Sequence, residues 1–419
     1  MLDINFIIES KDKLKETIIN KNVKLNVDEL ISTYEEKVSL LHEIEEINHK
    51  RNENASLIQK AGKPTPDMIA SGKELKEQVS ALEPKLRILD EKYERMMLVV
   101  PNIPADDTPV GKDDSENVAV RTWGTKPDFD FNFKDHSELG TDLDLIDTDR
   151  GVKVAGFRGY YLKNELALLQ WAVLSYALKI MRDKGFTIMI PPTMVRELAL
   201  VGSGHFPAGR EEVYPVEDVF LAGTSEPALL AYHYDETLGL KELPLKYCAV
   251  TPCYRSEIGS YGKDTKGLYR VHEFWKVEQV VIAENDFKKS MPLFEEMLGI
   301  AESLLQGLKL PYRVLSICTG DMGAGKYKMY DLESWMPSRK AYGETHSCSH
   351  LTDWQSRRLK LRYRDDEGVV KYPHTMNNTV VASPRILIAI LENYQQEDGS
   401  VKIPDVLVPY MYGITEIRR

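Results

Sequence analysis

The sequence predicts an α+β protein, in which an N-terminal antiparallel helical hairpin precedes a domain built on an antiparallel sheet flanked by helices. A heptad seam indicates the helical hairpin, because apolar residues recur in alternating steps of four and three along 75–100. Two β-type runs, 247–250 and 277–282, flank a polar glycine-rich connection and indicate a long β-hairpin. A chain of 419 residues exceeds one typical core, so we expect two domains, 1–105 and 106–419.

The helical arm is expected over about 28–100. Glycine and proline at 62–66 separate its two helices. Each helix has about thirty residues, so the arm is about 45–50 Å long at 1.5 Å rise per residue. Pro84 falls at a solvent-facing heptad position, where we expect a bend and not a stop. The seam of the second helix consists of Leu75, Val79, Leu82, Leu86, Leu89, Tyr93, Met96 and Val100.

Charge is unevenly distributed along this arm. The lower first helix is acidic, whereas the tip is basic, and a basic tip suits a phosphate backbone. The same pattern fits a solvated coiled coil used for dimerisation, and charge alone leaves both interpretations open. The tip cations are Lys50, Arg51, Lys60, Lys63, Lys73 and Lys76.

Composition is that of a soluble globular protein, with 42% hydrophobic and 28% charged residues. No apolar run approaches the length of a membrane span, and the N-terminus does not resemble a signal peptide. The four cysteines show no Cys-x-x-Cys pairing, which indicates reduced thiols, a cytoplasmic location and no zinc site. A net charge of −11 argues against a nucleic-acid partner unless a local basic patch provides the contact.

Two further segments of the second domain have patterns that suggest a local structure. A helical stretch over 162–184 leads into a strand that ends at Pro191 and Pro192. Residues 320–326 fit the Gly-x4-Gly-Lys spacing of a P-loop. A P-loop would continue with Ser or Thr and a helix, but Tyr327 and a strand-like run follow, so we reject that interpretation.

The β-hairpin concentrates the residues of greatest chemical interest. Arginines, carboxylates and an aromatic ring lie on its adjoining strands, with Arg255, Glu257, Arg270 and Phe274 among them. These side chains suit an anionic nucleotide, because a guanidinium group can donate two hydrogen bonds to one phosphate and an aromatic ring can stack on a base. A surface hairpin whose charges only face water is the alternative for any one of these residues.

The run Arg255-Ser256-Glu257, a glycine-rich loop and then 267–274 resembles motif 2 of the class II aminoacyl-tRNA synthetases, specifically the bacterial-type seryl-tRNA synthetase family. Residues 162–192 resemble motif 1, which forms the dimer interface in that family. The run 377–385 resembles motif 3, a strand followed by a helix that opens at Arg385. The resemblance covers nearly the whole chain. Ser225, Pro227, His350, Asn378, Ser383 and Pro384 depart from the usual pattern.

The resemblance implies a site on the catalytic domain, with Arg255 and Arg385 as its catalytic residues. ATP contacts are implied for Arg255, Ser256, Glu257, Arg270, Val271, Phe274, Glu344, Thr345, His346, Ser347 and Arg385. Serine contacts are implied for Thr224, Ser225, Glu226, Arg255, Glu278 and Thr379. Glu344 and Ser347 are the implied Mg²⁺ ligands. His346 and His350 have the i, i+4 spacing of a helical zinc site, but their segment is not helical in pattern and no zinc is expected.

The implied function is activation of L-serine with ATP and transfer of the seryl group to tRNA(Ser), with tRNA(Sec) as a further candidate. The arm would hold the tRNA, the chain would form a homodimer through 162–192, and no membrane would be involved. Two alternatives of other classes remain. One is a paralogue that loads an amino acid onto a carrier protein, although such proteins generally lack a long arm. The other is a non-catalytic interaction protein, which would not need Arg255, Glu257, Glu278, Glu344 and Arg385 together.

Overall fold

The structure is a computed structural model that describes residues 1–258 and 267–419. The predicted glycine-rich connection falls on 259–266, outside the described residues. The described chain divides into two compact units, Met1–Pro101 and Asn102–Arg419. No helix in the described residues is both long enough and apolar enough to cross a membrane.

The first unit is helical, and its two long helices form the predicted hairpin. The turn between them is marked by Gly62 at φ +72°, a conformation that favours glycine, and by the Thr65 hydroxyl, which caps the next helix. The second long helix runs through Pro84 without stopping, as predicted. The helices are α1 (Ile4–Glu9), α2 (Lys11–Asn20), α3 (Val27–Ala61) and α4 (Pro66–Val99).

The two long helices pack along the heptad seam. The rings of Tyr34 and Tyr93 lie 5.6 Å apart, and Val79 is buried between the helices. Lys37 forms an ion pair with Asp90 across the seam. The helical arm expected over about 28–100 is therefore present, because the apolar stripe of α4 has a partner on α3.

The second unit combines helices with one large sheet and smaller sheets. Its helices are α5 (His136–Asp142), α6 (Thr148–Ala155), α7 (Asn164–Asp183), α8 (Glu197–Ser203), α9 (Glu226–Ala231), α10 (Phe287–Gly307), α11 (Trp354–Arg358) and α12 (Arg385–Tyr394). Its strands are β1 (Val118–Trp123), β2 (Ile146–Asp147), β3 (Tyr161–Leu162), β4 (Thr187–Met189), β5 (Met194–Arg196), β6 (Tyr214–Val216), β7 (Val219–Leu221), β8 (Thr237–Gly239), β9 (Leu245–Tyr254), β10 (Glu273–Ala283), β11 (Tyr312–Ser316), β12 (Lys328–Met336), β13 (Ala341–Thr352), β14 (Arg362–Arg364), β15 (Val370–Lys371), β16 (His374–Ser383), β17 (Val401–Lys402) and β18 (Glu416–Ile417).

The large sheet has the order β1-β11-β12-β13-β16-β10-β9-β4 within the described residues. All its pairings are antiparallel except that of β4 with β9. The predicted hairpin is confirmed as β9 and β10, whose ladder runs from Glu273 opposite Tyr254 to Ile282 opposite Leu245. The α+β class with an antiparallel sheet is likewise confirmed. The P-loop is rejected, as predicted, because the strand β12 and not a helix follows Lys326.

Helices cover one face of this sheet. Phe294 and Leu298 of α10, Leu169 of α7 and Leu387 of α12 belong to one buried cluster with Val277 and Val281 of β10. Alternate residues of a strand point to opposite faces, so Phe274, Lys276 and Glu278 point away from this cluster. On the opposite face α9 packs against Val280 and Ile282 of β10, so the helices leave the part of that face around 274–278 for a site.

Candidate active site

A solvent-open cavity of about 280 Å³ lies on that opposite face. Its floor is β10, where Phe274, Lys276 and Glu278 alternate toward it. Five cationic side chains and four carboxylates line the cavity, so it has a small positive excess in a chain of net charge −11. The charged lining residues are Arg255, Arg270, Lys276, Lys326 and Arg385, and Glu226, Glu257, Glu278 and Glu344.

Arg255 lies just beyond the end of the β9 ladder. Its backbone N–H donates to the carbonyl of His272 at 2.9 Å, which extends the hairpin by one pairing. Its side chain donates from Nε to the carbonyl of Gly223 at 3.3 Å, and the guanidinium carbon lies 5.2 Å from the centre of the Phe274 ring. The guanidinium is therefore held between a backbone acceptor and an aromatic face, with its terminal nitrogens toward the cavity.

Glu257 adopts a positive φ of 55° and accepts a hydrogen bond from Nη1 of Arg270 at 2.7 Å. This pair joins the two ends of the hairpin, because Arg270 follows the segment outside the described residues. Val271 completes the lining on this side. The carboxylate and the guanidinium thereby fix each other at one end of the cavity.

Arg385 is the first residue of α12, as the sequence predicts. Its Nε donates to the carbonyl of Tyr269 at 2.9 Å, and its Nη1 lies 3.1 Å from Oε2 of Glu344. The guanidinium carbon is 4.4 Å from the centre of the Tyr269 ring. Arg385, at the junction of β16 and α12, thus lines the same cavity as Arg255, which follows β9.

A one-residue bulge in β13 arranges the predicted metal ligands. Ser347 pairs with Asp331 and Glu344 with Glu333, and the register shift between them leaves Thr345 as the extra residue. Residues three apart on a regular strand point to opposite faces, but the bulge allows both Glu344 and Ser347 to line the cavity.

These two residues offer a carboxylate and a hydroxyl, the hard oxygen ligands that Mg²⁺ takes in small number beside phosphates and water. Beside Ser347 lies a buried carboxylate oxygen, Oδ1 of Asp331, that receives no hydrogen bond from any residue the structure describes. The donor set therefore fits Mg²⁺. No group of three or more His, Cys, Asp or Glu suited to a metal ion occurs in the part of the chain that the structure describes.

A buried ion pair lies deeper in the cavity. Lys276 Nζ is 2.6 Å from Oε2 of Glu278, and Thr379 Oγ1 donates to the same oxygen at 3.3 Å. Burial raises the pKa of the Glu278 carboxyl, although the neighbouring ammonium acts in the opposite direction. A second bulge, in β16, turns both Thr379 and Ala382 to the cavity.

Thr224 and Glu226 lie beside this pair, at the start of α9. The backbone N–H of Glu226 donates to the Thr224 hydroxyl at 3.4 Å, and both side chains line the cavity. The Glu226 carboxylate is 5% exposed and accepts hydrogen bonds from Gln355 and Asn377. This end of the cavity therefore offers carboxylate and hydroxyl oxygens to a small polar molecule.

Two histidines of the lining are neutral. Burial lowers the pKa of His205 and that of His346 to about 4. Nδ1 of His346 lies 2.8 Å from the Thr345 hydroxyl, which itself donates to the carbonyl of Leu332. Both rings therefore act near neutral pH as uncharged hydrogen-bonding groups.

The structure brings nearly all the predicted site residues together. Two do not line the cavity: Ser256 donates its hydroxyl to the carbonyl of Glu211 at 2.8 Å, and the buried Ser225 hydroxyl has no hydrogen-bond partner among the described residues. Sequence reasoning missed several lining residues. Lys276 had a signal, since it alternates with Phe274 and Glu278, whereas His205 had none. The missed residues are His205, Tyr269, Lys276, Lys326, Asn377, Ala382, Ser383 and Pro384.

Comparisons with known proteins agree over the whole chain. A family described as "tRNA synthetase class II core domain (G, H, P, S and T)" matches residues 213–394, and one described as "Seryl-tRNA synthetase N-terminal domain" matches residues 1–104. A serine--tRNA ligase of Deinococcus radiodurans is 47% identical over 416 residues, which are 99% of this chain and 98% of that protein.

Solved structures are similar over the same span. A seryl-tRNA synthetase from Pyrococcus horikoshii complexed with ATP has a TM-score of 0.92 and 39% identity, covering 100% of this chain and 99% of the other. A cytoplasmic serine-tRNA ligase from Naegleria fowleri in complex with AMP has a TM-score of 0.87 and 30% identity, with coverage of 100% and 99%.

Proposed function

The chain belongs to the seryl-tRNA synthetase family, and from this premise we propose that it is a serine–tRNA ligase, which activates L-serine with ATP and transfers the seryl group to tRNA(Ser). The observation that carries the proposal is one cavity lined both by Arg255 and Arg385 and by Glu226, Glu278 and Thr379. tRNA(Sec) is a second proposed acceptor.

ATP is proposed to lie between the β9–β10 hairpin and the start of α12. The Arg255 guanidinium would fork the α-phosphate, and the Phe274 ring would stack on the adenine, whose amino group Glu257 would bind. Arg385 would bind the distal phosphates, where the N-terminal end of α12 also favours an anion. The positive excess of the lining supports a polyanionic ligand, as do the ATP and AMP complexes of the two similar structures.

Glu344 and Ser347 are the proposed Mg²⁺ ligands. When bound, the ion would neutralise phosphate charge as the pyrophosphate leaves. Arg385, which contacts Glu344 at 3.1 Å, would share that carboxylate between itself and the ion.

Serine is proposed to bind over the Lys276–Glu278 pair. Its ammonium and hydroxyl would meet Thr224, Glu226, Glu278 and Thr379, while its carboxylate would face Arg255. Alanine lacks the hydroxyl and would leave buried polar partners unpaired, so discrimination of about 10⁴ is expected where pairing is complete.

The proposed reaction has two steps, adenylation of serine and transfer of the seryl group to tRNA, and neither step uses a protein nucleophile. A carboxylate oxygen of serine attacks the α-phosphorus in line, the bond to the β-phosphate oxygen breaks, and seryl-adenylate and pyrophosphate result. A ribose hydroxyl of the terminal adenosine of tRNA then attacks the seryl carbonyl, loses its proton and displaces AMP. Positioning and stabilisation of phosphate charge are the tasks left to Arg255 and Arg385.

The N-terminal domain, 1–105, is the proposed tRNA-binding domain. All six tip cations of the arm are exposed, which supports contact with a phosphate backbone. A homodimer through 162–192 is proposed as well, because Trp171, Ile188 and Ile190 are exposed apolar side chains on that segment. All four cysteines are buried free thiols, which supports a reducing cytoplasm as the location.

The test is serine-dependent ATP–pyrophosphate exchange, followed by charging of total tRNA with labelled serine. We expect both activities. Exchange without tRNA charging would favour a carrier-protein paralogue, and absence of exchange would favour a non-catalytic interaction protein. Exchange that depends on an amino acid other than serine would contradict the proposed substrate.

A further inference from the structure

Gln355 of α11 is fully buried and lies behind the cavity lining, next to the proposed serine end. Its side-chain nitrogen Nε2 donates to Oε1 of Glu226 at 2.6 Å and to the backbone carbonyl of Ser203 at 2.8 Å. Its side-chain oxygen accepts from the Thr375 hydroxyl at 2.6 Å. Every polar atom of this amide is therefore engaged by a different element of the fold.

The orientation of the amide is determined by these partners. The Glu226 carboxylate and the Ser203 carbonyl only accept, so the amide nitrogen must face them, and the Thr375 hydroxyl donates to the amide oxygen. Reversal of the amide would place its oxygen against a carboxylate and a carbonyl. The hydrogen bonds thus specify one orientation.

Gln355 determines which oxygen of Glu226 faces a ligand. Oε1 accepts from Gln355 and, at 2.8 Å, from Nδ2 of Asn377. Both donors bind the same oxygen, and within the described residues no donor binds Oε2. The carboxylate is therefore held so that Oε2 remains available in the cavity.

The second hydrogen bond of Gln355 supports His205, a cavity residue with no role in the proposed mechanism. The Ser203 hydroxyl lies 3.2 Å from the carbonyl of Leu200 and 2.9 Å from Nδ1 of His205, and in the tautomer that keeps both hydrogen bonds the hydroxyl donates to Leu200 and accepts from Nδ1. A neutral ring that donates from Nδ1 has an acceptor at Nε2. Gln355 donates to the backbone carbonyl of Ser203, and the side-chain hydroxyl of the same Ser203 sets the tautomer of His205.

We propose that Gln355 is a positioning residue for the amino-acid substrate, because it orients the acceptors Glu226 Oε2 and His205 Nε2 toward a ligand rich in N–H and O–H donors. A serine ammonium with its neighbouring hydroxyl supplies four such donors. The inference rests on the proposed function and adds two elements to it: a buried support, and His205 as a hydrogen-bond acceptor for the substrate.

The experiment compares Gln355→Met with Ser356→Ala in ATP–pyrophosphate exchange. Methionine keeps the volume and removes the hydrogen bonds, so Glu226 loses one of its two restraining donors. KM for serine should rise about 10- to 100-fold in Gln355→Met, since a hydrogen bond to a charged group is lost, while KM for ATP stays within about twofold. Ser356 is buried on the same short helix but donates to the carbonyl of Pro373, so Ser356→Ala should leave both KM values unchanged.

A second variant, Thr375→Val, is nearly isosteric and removes only the hydroxyl that donates to the amide oxygen of Gln355. KM for serine should rise in it as well, by a smaller factor, and the double variant should be no worse than Gln355→Met because both changes act through one amide. An unchanged KM for serine in both single variants, or an equal rise in KM for ATP, would overturn the positioning role. Loss of serine dependence in the unmodified protein would instead contradict the proposed function, and the positioning role would fall with it.

Discussion

Lys276 and Glu278 form a buried ion pair on the cavity floor, with Nζ of the lysine 2.6 Å from Oε2 of the glutamate. The two side chains are 7% and 3% exposed. They lie two residues apart on β10 and therefore share a face of the strand. Both charges lie on the floor of the cavity with little access to water, so each depends mainly on the other.

Removal of the lysine should destabilise the second unit. Lys276→Met leaves Glu278 buried without its counter-charge, and we expect the free energy of unfolding to fall by about 3–5 kcal/mol. Urea denaturation followed by tryptophan fluorescence measures this unit alone, because all five tryptophans lie within it. Lys289→Met, which breaks an exposed pair with Glu284, is the control and should have little effect. If Lys276→Met lowers the free energy of unfolding no more than Lys289→Met does, the buried pair does not stabilise this unit.

Arg255→Lys should lose most ATP–pyrophosphate exchange, by about 100-fold or more. A lysine ammonium cannot donate to Gly223, stack on Phe274 and fork a phosphate at once. Arg364→Lys serves as the control, since Arg364 is exposed and donates to the carbonyl of Gly368, away from the cavity. Exchange close to that of the unmodified protein would remove the role assigned to Arg255.

The arm should be required for tRNA charging but not for serine activation. Deletion of residues 27–100 is expected to preserve serine-dependent exchange, because every residue that lines the cavity belongs to the second unit. Charge reversal at Lys60, Lys63, Lys73 and Lys76 should weaken charging most at low salt, and the difference from the unmodified protein should shrink as salt rises. Equal charging by the truncated chain would mean that the arm does not contact the tRNA.

Acid should destabilise the second unit through its buried histidines. Burial lowers the pKa of His350 to about 3 and that of His374 to about 4, whereas both titrate near 6.5 when unfolded. Between pH 6.5 and pH 4 the unfolded chain binds more protons, so stability rises with pH and is lost as pH falls.

The measurement is the free energy of unfolding at pH 7 and at pH 5. His350→Gln keeps a hydrogen-bonding group beside Ser290, which lies 3.1 Å from Nε2 of His350, but cannot titrate. The loss of stability between the two pH values should be smaller in this variant by roughly 2 kcal/mol. An unchanged loss would show that His350 is not among the groups responsible.

Local patterns were sufficient for several parts of this protein. The heptad seam predicted α4, β-type runs on either side of a glycine-rich connection predicted β9 and β10, and the resemblance of 377–385 to motif 3 predicted the position of Arg385. The helix and the strands depend on residues close in sequence, because the spacing of apolar residues indicates which face of an element is buried. Resemblance of motifs then supplied most of the side chains that line the cavity.

Other parts depend on contacts between distant segments. Glu344 and Ser347 are three residues apart and would point to opposite faces of a regular strand, and only the bulge at Thr345 allows both to face the cavity. Gln355 meets Glu226 across 129 residues of sequence, and His205 has no periodic or motif signal at all. Side-chain direction follows from local alternation only while the ladder is regular, so the bulges and the long-range hydrogen bonds that orient the site are settled by packing in three dimensions.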